Sequence, residues 1–116
     1  MSCNRYHQIG RSIVGAVALA VNAVNDDPML LPGRTLQYVL RDSECMASVG
    51  SSELAHLLEN PPNRDPIRAL IGPGCNSACE VTAVLTDGAD IPQISPMCDS
   101  PVLSDKQLYP TVRRLP

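Results

Sequence analysis

Cysteine and one glycine-rich turn are the features of this chain with chemical reach. The cysteines are Cys3, Cys45, Cys75, Cys79 and Cys98. Thiolates ligate metals, attack electrophiles or oxidise to disulfides, and spacing separates these uses. No C-x-x-C occurs, and the two histidines, His7 and His56, complete no zinc-type spacing with them. No metal site is expected, and a disulfide framework is preferred, with one cysteine left over. Cys75 precedes a predicted helix, a setting that can activate a thiolate. It has no paired histidine, so a structural bridge is the favoured use.

The turn is Gly72-Pro73-Gly74, followed by Cys75-Asn76-Ser77. Two glycines allow a sharp reversal, and the helix that follows presents free N–H groups to an anion or carboxylate. The string G-x-G-x-x-S touches the dinucleotide-binding fingerprint. That fingerprint needs an acidic residue closing the next strand, and here Ser95-Pro96 closes it. A small Rossmann-type oxidoreductase is thus a remote alternative. There is no G-K-[ST] and no G-x-S-x-G, so a P-loop and a hydrolase elbow are excluded.

These residues need elements to hold them. Ser12 to Val24 is the most apolar stretch, about 13 residues and too short to cross a bilayer. Arg5, Arg11 and Ala18-Leu19-Ala20 give it some likeness to a signal peptide. Ile13, Val17, Val21 and Val24 fall on one stripe, so an amphipathic helix is preferred. Leu36 to Leu40 reads as a strand. A helix runs from Ala47 to Asn60 on Leu54, Leu57 and Leu58, and Pro61-Pro62 stops it. Arg68 to Ile71 reads as a short buried strand. Ser77 and Glu80 fit a capping box for the next helix. That helix has an apolar face of Ala78, Val81, Val84 and Leu85, and Gly88 supplies its left-handed end. Ile91 to Ser95 is a third strand, with Pro92 suiting an edge or a strand entry. Pro96 to Pro116 reads mostly as loop.

Strands alternating with helices imply an α/β fold with an open, doubly wound parallel sheet. Ligands in such sheets sit at the carboxyl ends of the strands. The loops leaving those ends are Asp42-Ser43-Glu44, Gly72 to Ser77, and Ser95 to Ser100. With 116 residues the chain supports one modest domain. Residues 1–11 stay unassigned. Residues 12–116 form a partial domain expected to be truncated at both ends, since no strand precedes the first helix and no helix closes the last. Twelve acidic residues against nine basic, Lys106 as the only lysine, and no Phe or Trp argue against a nucleic-acid partner.

Three blocks carry a resemblance. They are Ile71-Gly72-Pro73-Gly74-Cys75-Asn76-Ser77-Ala78-Cys79-Glu80 with Ile91-Pro92-Gln93-Ile94-Ser95, then Cys98-Asp99-Ser100-Pro101-Val102-Leu103-Ser104-Asp105-Lys106, then Tyr109-Pro110-Thr111-Val112-Arg113. Together they resemble the ligand-binding ectodomain of receptor guanylyl cyclases, a type I periplasmic-binding fold. Natriuretic peptide receptors and class C receptors of the GABA-B and metabotropic glutamate types share that fold. The resemblance implies part of the membrane-distal lobe of an extracellular, usually homodimeric, ligand-binding domain without catalysis of its own. It implies a peptide or small-molecule ligand, amino-acid-like in class C relatives, at Asn76 and Ser100, and the short polar residues of the strand-end loops add Ser77 and Ser95, with Ser43 at the margin. No cofactor is implied beyond a bound chloride at Gly74, Cys75 and Ser43. The family pairs the cysteines matching Cys45 and Cys75, whose turns should meet at neighbouring strand ends. Cys79 with Cys98 then follows as the second pair, and Cys3 stays free or pairs outside this chain. The joint presence of Cys79 and Cys98 favours the cyclase class over class C.

Overall fold

The structure is a computed structural model that describes residues 3–114. It divides into two units, Met1–Leu40 and Arg41–Pro116.

The first unit holds helix α1, Cys3–Asp26. It is longer than the apolar stretch alone predicts. The expected stripe is present: Ile13, Val17, Val21 and Val24 are half-buried, while Val14 and Leu19 face out. Among the described residues no helix is long and apolar enough to cross a membrane. After α1 the chain turns at Asp27, whose carboxylate accepts the Met29 N–H at 2.9 Å. The expected strand over residues 36–40 does not form. The Asn25 amide captures Leu36 at both of its backbone groups: Oδ1 accepts the Leu36 N–H at 2.7 Å and Nδ2 donates to the Leu36 carbonyl at 2.9 Å. Those are the groups a ladder uses, and β-propensity without a partner strand builds nothing.

The second unit is α/β. Its helices are α2, Ala47–Glu59, and α3, Asn76–Gly88. Its strands are β1, Leu70–Ile71, β2, Gln93–Ser95, and β3, Val112–Arg114. The sheet order is β1-β2-β3 and both pairings are parallel, with Ile71 opposite Ile94 and Ile94 opposite Arg113. Residues 96–111 are mostly loop, as expected, with a 3-10 turn at Pro101–Ser104, and β3 is an addition to that reading. Pro92 stands at the entry to the central strand, outside the ladder, and its carbonyl accepts the Leu70 N–H at 3.0 Å.

Helix α2 buries Gly50, Leu54 and Leu57 and packs on α3. Gly50 lets the two helices approach closely. A Cβ there would lie 3.3 Å from the Ala78 Cβ and 3.4 Å from the Ser43 Cβ. A Gly50→Val chain should therefore lose about 1–3 kcal/mol through overpacking. Gly50→Ala sets a helix-propensity gain of up to about 1 kcal/mol against the tight contact. Urea denaturation of both variants checks this, and a Val variant as stable as the parent would show that the helices are loosely packed.

Helix α3 corrects two expectations. Its N-cap is Cys75, and no side chain caps it. Ser77 and Glu80 are engaged elsewhere, so no capping box forms. Its end is a Schellman motif: Ile91 N–H donates to the Thr86 carbonyl at 3.0 Å and Asp90 N–H to the Asp87 carbonyl at 3.1 Å. The left-handed residue is Asp90, φ 56°, and Gly88 stays helical. Asp tolerates that conformation better than most residues.

The fully buried face of α3 shares only Ala78 with the expected apolar stripe, and Val81 and Leu85 are half-buried. Ala78, Cys79, Thr82, Ala83 and Thr86 are buried, whereas Val84 is 60 % exposed. Gln93 on β2 explains the choice, since it is fully buried and its amide needs partners. Thr86 Oγ1 donates to Gln93 Oε1 at 3.1 Å, and Gln93 Nε2 donates to Thr82 Oγ1 at 3.1 Å. Thr82 Oγ1 in turn donates back to the Ala78 carbonyl at 2.9 Å, and the Thr86 hydroxyl shares its one hydrogen between Gln93 Oε1 and the Ala83 carbonyl at 3.1 Å. The apolar core beside this network is Cys79, Ala83, Cys98, Leu103 and Val112, with Tyr109 packed against it.

Candidate functional site

Because β1 and β2 run parallel, the loops after Ile71 and Ser95 leave the sheet on the same side. Helix α3 begins there. The first loop turns at Gly72, whose φ of 94° suits glycine, and its N–H donates to the Ile94 carbonyl at 2.8 Å. Gly74 is covered by Met97: a Cβ at Gly74 would lie 3.7 Å from the Met97 Sδ.

Two disulfides tie the loops. Cys45 is bonded to Cys75, with Cα atoms 5.4 Å apart, and Cys79 to Cys98, with Cα atoms 6.5 Å apart. The Pro73 carbonyl oxygen lies 3.0 Å from the Sγ atoms of both Cys79 and Cys98. The side chain of Cys3 lies outside the described residues.

Asn76 is the hub of the cluster. Its Nδ2 donates to Asp99 Oδ1 at 2.7 Å, and its Oδ1 accepts the Asp99 N–H at 2.9 Å and the Ser100 N–H at 3.2 Å. The first residue of α3 thereby clamps the loop after β2. Ser100 adds a second tie, its hydroxyl donating to Glu80 Oε1 at 2.6 Å. Ser77 is exposed, and its hydroxyl donates to the Cys45 carbonyl at 3.2 Å. Ser43 starts the third loop. Its carbonyl accepts the Met46 N–H at 3.0 Å, and its hydroxyl the Cys45 N–H at 3.4 Å.

The structure therefore brings Asn76, Ser77 and Ser100 together around the start of α3, with Ser43 linked through the Cys45 turn. It does not bring Ser95. That residue is 1 % exposed, and its hydroxyl accepts the Cys98 N–H at 3.0 Å. Ser95 points inward because it shares a strand face with Gln93 (period 2) and packs toward α3. Asp99 and Glu80 belong to the cluster and escaped the sequence reading. Glu80 fitted a capping box equally well, and nothing local marks Asp99 as the partner of a residue 23 positions away. Among the described residues no group of His, Cys, Asp and Glu side chains suits a metal ion. Short polar side chains at a helix start, Asn76 and Ser77 exposed and Ser100 buried beneath them, can bind a ligand through hydrogen bonds. They offer no nucleophile–base pair for catalysis.

Comparison with known proteins agrees with this arrangement. Residues 13–116 match the family described as receptor family ligand binding region. The chain is 32 % identical over 106 residues to the speract receptor of Strongylocentrotus purpuratus, covering 91 % of this chain and 9 % of that protein. It is 31 % identical over 105 residues to gamma-aminobutyric acid type B receptor subunit 1 of Mus musculus, covering 90 % and 10 % respectively. With taste receptor type 1 member 3 of Mus musculus it shares 28 % over 125 residues, covering 97 % and 14 %. The chain thus spans about a tenth of the length of these curated relatives. The family match takes in the disulfides, the Asn76 clamp and the whole sheet, and on it the chain belongs to the family of receptor ligand-binding regions.

Proposed function

We propose that the chain is part of the membrane-distal lobe of the extracellular ligand-binding region of a receptor guanylyl cyclase, in a doubly wound fold. The observation that carries this reading is the Cys79–Cys98 disulfide, which pins α3 to the loop after β2. The two cysteines occur together in the blocks that resemble receptor cyclases. The parent receptor acts as a homodimer at the plasma membrane, with the loop cluster facing the extracellular ligand. The chain itself carries no catalysis. A class C receptor ectodomain is the second reading, supported by the similarity to the GABA type B and taste receptors. The coding sequence of the whole transcript separates them. A single membrane helix with cyclase motifs supports the first, and seven membrane helices the second.

The ligand-facing residues in this proposal are Asn76, Ser77 and Ser100, with Ser43 at the margin. An anion such as chloride fits the backbone of Gly74 and Cys75 beside Ser43, where the dipole of α3 adds about 0.3–1 kcal/mol. In the full-length receptor, Asn76→Ala and Ser100→Ala should each weaken ligand binding about tenfold or more, the loss of one strong hydrogen bond. Surface expression is measured alongside, because Asn76 also clamps the Asp99 loop. Wild-type affinity in both variants across a range of chloride concentrations would move the site elsewhere.

A further inference from the structure

The two disulfides sit in opposite environments. Cys79 is fully buried and Cys98 is 4 % exposed, inside the apolar core. Cys45 is exposed and Cys75 is half-exposed. A thiolate reaches a disulfide only by approaching one sulfur along the S–S axis, so access governs the rate of exchange. The backbone at the exposed bridge is also held in a costly shape. Glu44 has φ 54° and Cys45 has φ 55°, two successive non-glycine residues in the left-handed region. Each residue so held is sterically disfavoured and persists where surrounding ties impose it. Those ties are the Asp42 carboxylate, which accepts the Glu44 N–H at 2.8 Å, the Ser77 hydroxyl on the Cys45 carbonyl, and the disulfide itself.

We propose that Cys45–Cys75 is a thiol-exchange site that small thiols of the glutathione class open, and their oxidised disulfides close, while Cys79–Cys98 stays oxidised. A thiolate attacks Cys45 Sγ, the S–S bond breaks, and Cys75 Sγ leaves as a thiolate that takes a proton from water. A second small thiol, as its thiolate, then displaces Cys45 from the mixed disulfide. The protein gains two electrons and two protons, and the two small thiols leave as one oxidised disulfide. The change is local. Opening the bridge frees the Glu44–Cys45 turn to leave the left-handed region. The close packing of Gly50 on Ala78 keeps α2 against α3, and the Asn76 clamp and the buried bridge keep α3 on the loop after β2.

The test uses the oxidised chain with Cys3→Ser, so that the remaining cysteine does not enter the exchange. It is incubated with reduced glutathione at neutral pH, quenched with acid, alkylated and mapped by mass spectrometry over time. Cys45 and Cys75 should be labelled at least about tenfold faster than Cys79 and Cys98. The preference should vanish in guanidinium, where access is equal. Hydrogen exchange of the partly reduced chain should show faster amides at residues 44–46 and unchanged amides on β2. Equal labelling rates for the two pairs under native conditions would overturn the proposal. So would labelling of Cys79 and Cys98 first, or loss of protection on β2 together with the first reduction.

Discussion

A Leu103→Ala chain should lose about 2–5 kcal/mol of stability, in the upper part of that range. Leu103 is fully buried and is the bulkiest of the deeply buried side chains. It lies in a short 3-10 turn, Pro101–Ser104, and packs against Cys79, Ala83, Cys98 and Val112. The cost of truncation depends on how far the neighbours collapse into the space. Here they cannot move far. Cys79 and Cys98 are locked to each other, Ala83 has no reach, and Val112 is held in the sheet. The chain contains no Phe or Trp to swing in from elsewhere. A domain of this size has a total stability of about 5–15 kcal/mol, so the loss is a large share of it. Urea unfolding should show the midpoint falling by roughly 1 M or more at an unchanged slope. A midpoint equal to the parent's would mean that Leu103 is not packed as described.

The paired replacement Cys79→Ala with Cys98→Ala should cost more than Cys45→Ala with Cys75→Ala, although loop entropy alone orders them the other way. The Cys79–Cys98 bridge closes a separation of 19 residues and the Cys45–Cys75 bridge one of 30. In the chain-entropy model these are worth about 3 and about 4 kcal/mol, a difference of roughly 0.4 kcal/mol before rounding. Packing reverses the order. The inner bridge fills the core beside Leu103 and Val112, so its removal leaves a cavity costing an additional ~1–3 kcal/mol. The outer bridge is solvated and leaves no cavity. Thermal or urea unfolding of the two double variants reads the order directly. If the outer pair proves the more costly, loop closure dominates and the core has relaxed around the missing sulfurs.

Much of the second unit was legible because its signals are local. Leu54 and Leu57 at helical spacing and the Pro61-Pro62 stop sit within a few residues of what they specify, whereas the run from Arg68 to Ile71, expected as a buried strand, forms a strand only at Leu70–Ile71 and leaves Ile71 exposed. β3 was not legible. It has three residues, follows Pro110 closely, and carries one inward apolar side chain, Val112, too little for a period to register. The face of α3 was misread for a different reason. Apolar spacing favoured Val81, Val84 and Leu85, while a glutamine on another element selects Thr82 and Thr86. In the site, Asn76, Ser77 and Ser100 could be chosen from their positions at strand ends. The clamp that Asn76 and Ser100 form with Asp99 and Glu80 is non-local, and residue type alone does not encode it. Leu36 to Leu40 failed as a strand because a strand exists only through its partner, and Asn25 had already taken the groups a partner would use.

The Gln93 amide acts on α3 as a key acts in a keyway. Apolar packing already interlocks ridges and grooves, and a buried polar pairing adds a directional constraint that tolerates less displacement. Thr82 and Thr86 stand one turn apart, about 6 Å along that axis, and both grip the same side-chain amide. A shift of a single residue rise, about 1.5 Å, breaks both bonds in a dry setting where each is costly to lose. Sliding and rolling of α3 are thus indexed to β2 at its middle, and that indexing is transmitted to its first turn. The position of Asn76 and Ser77 above the strand ends is therefore set from inside the protein, and under the proposed function the ligand would meet a surface already aligned.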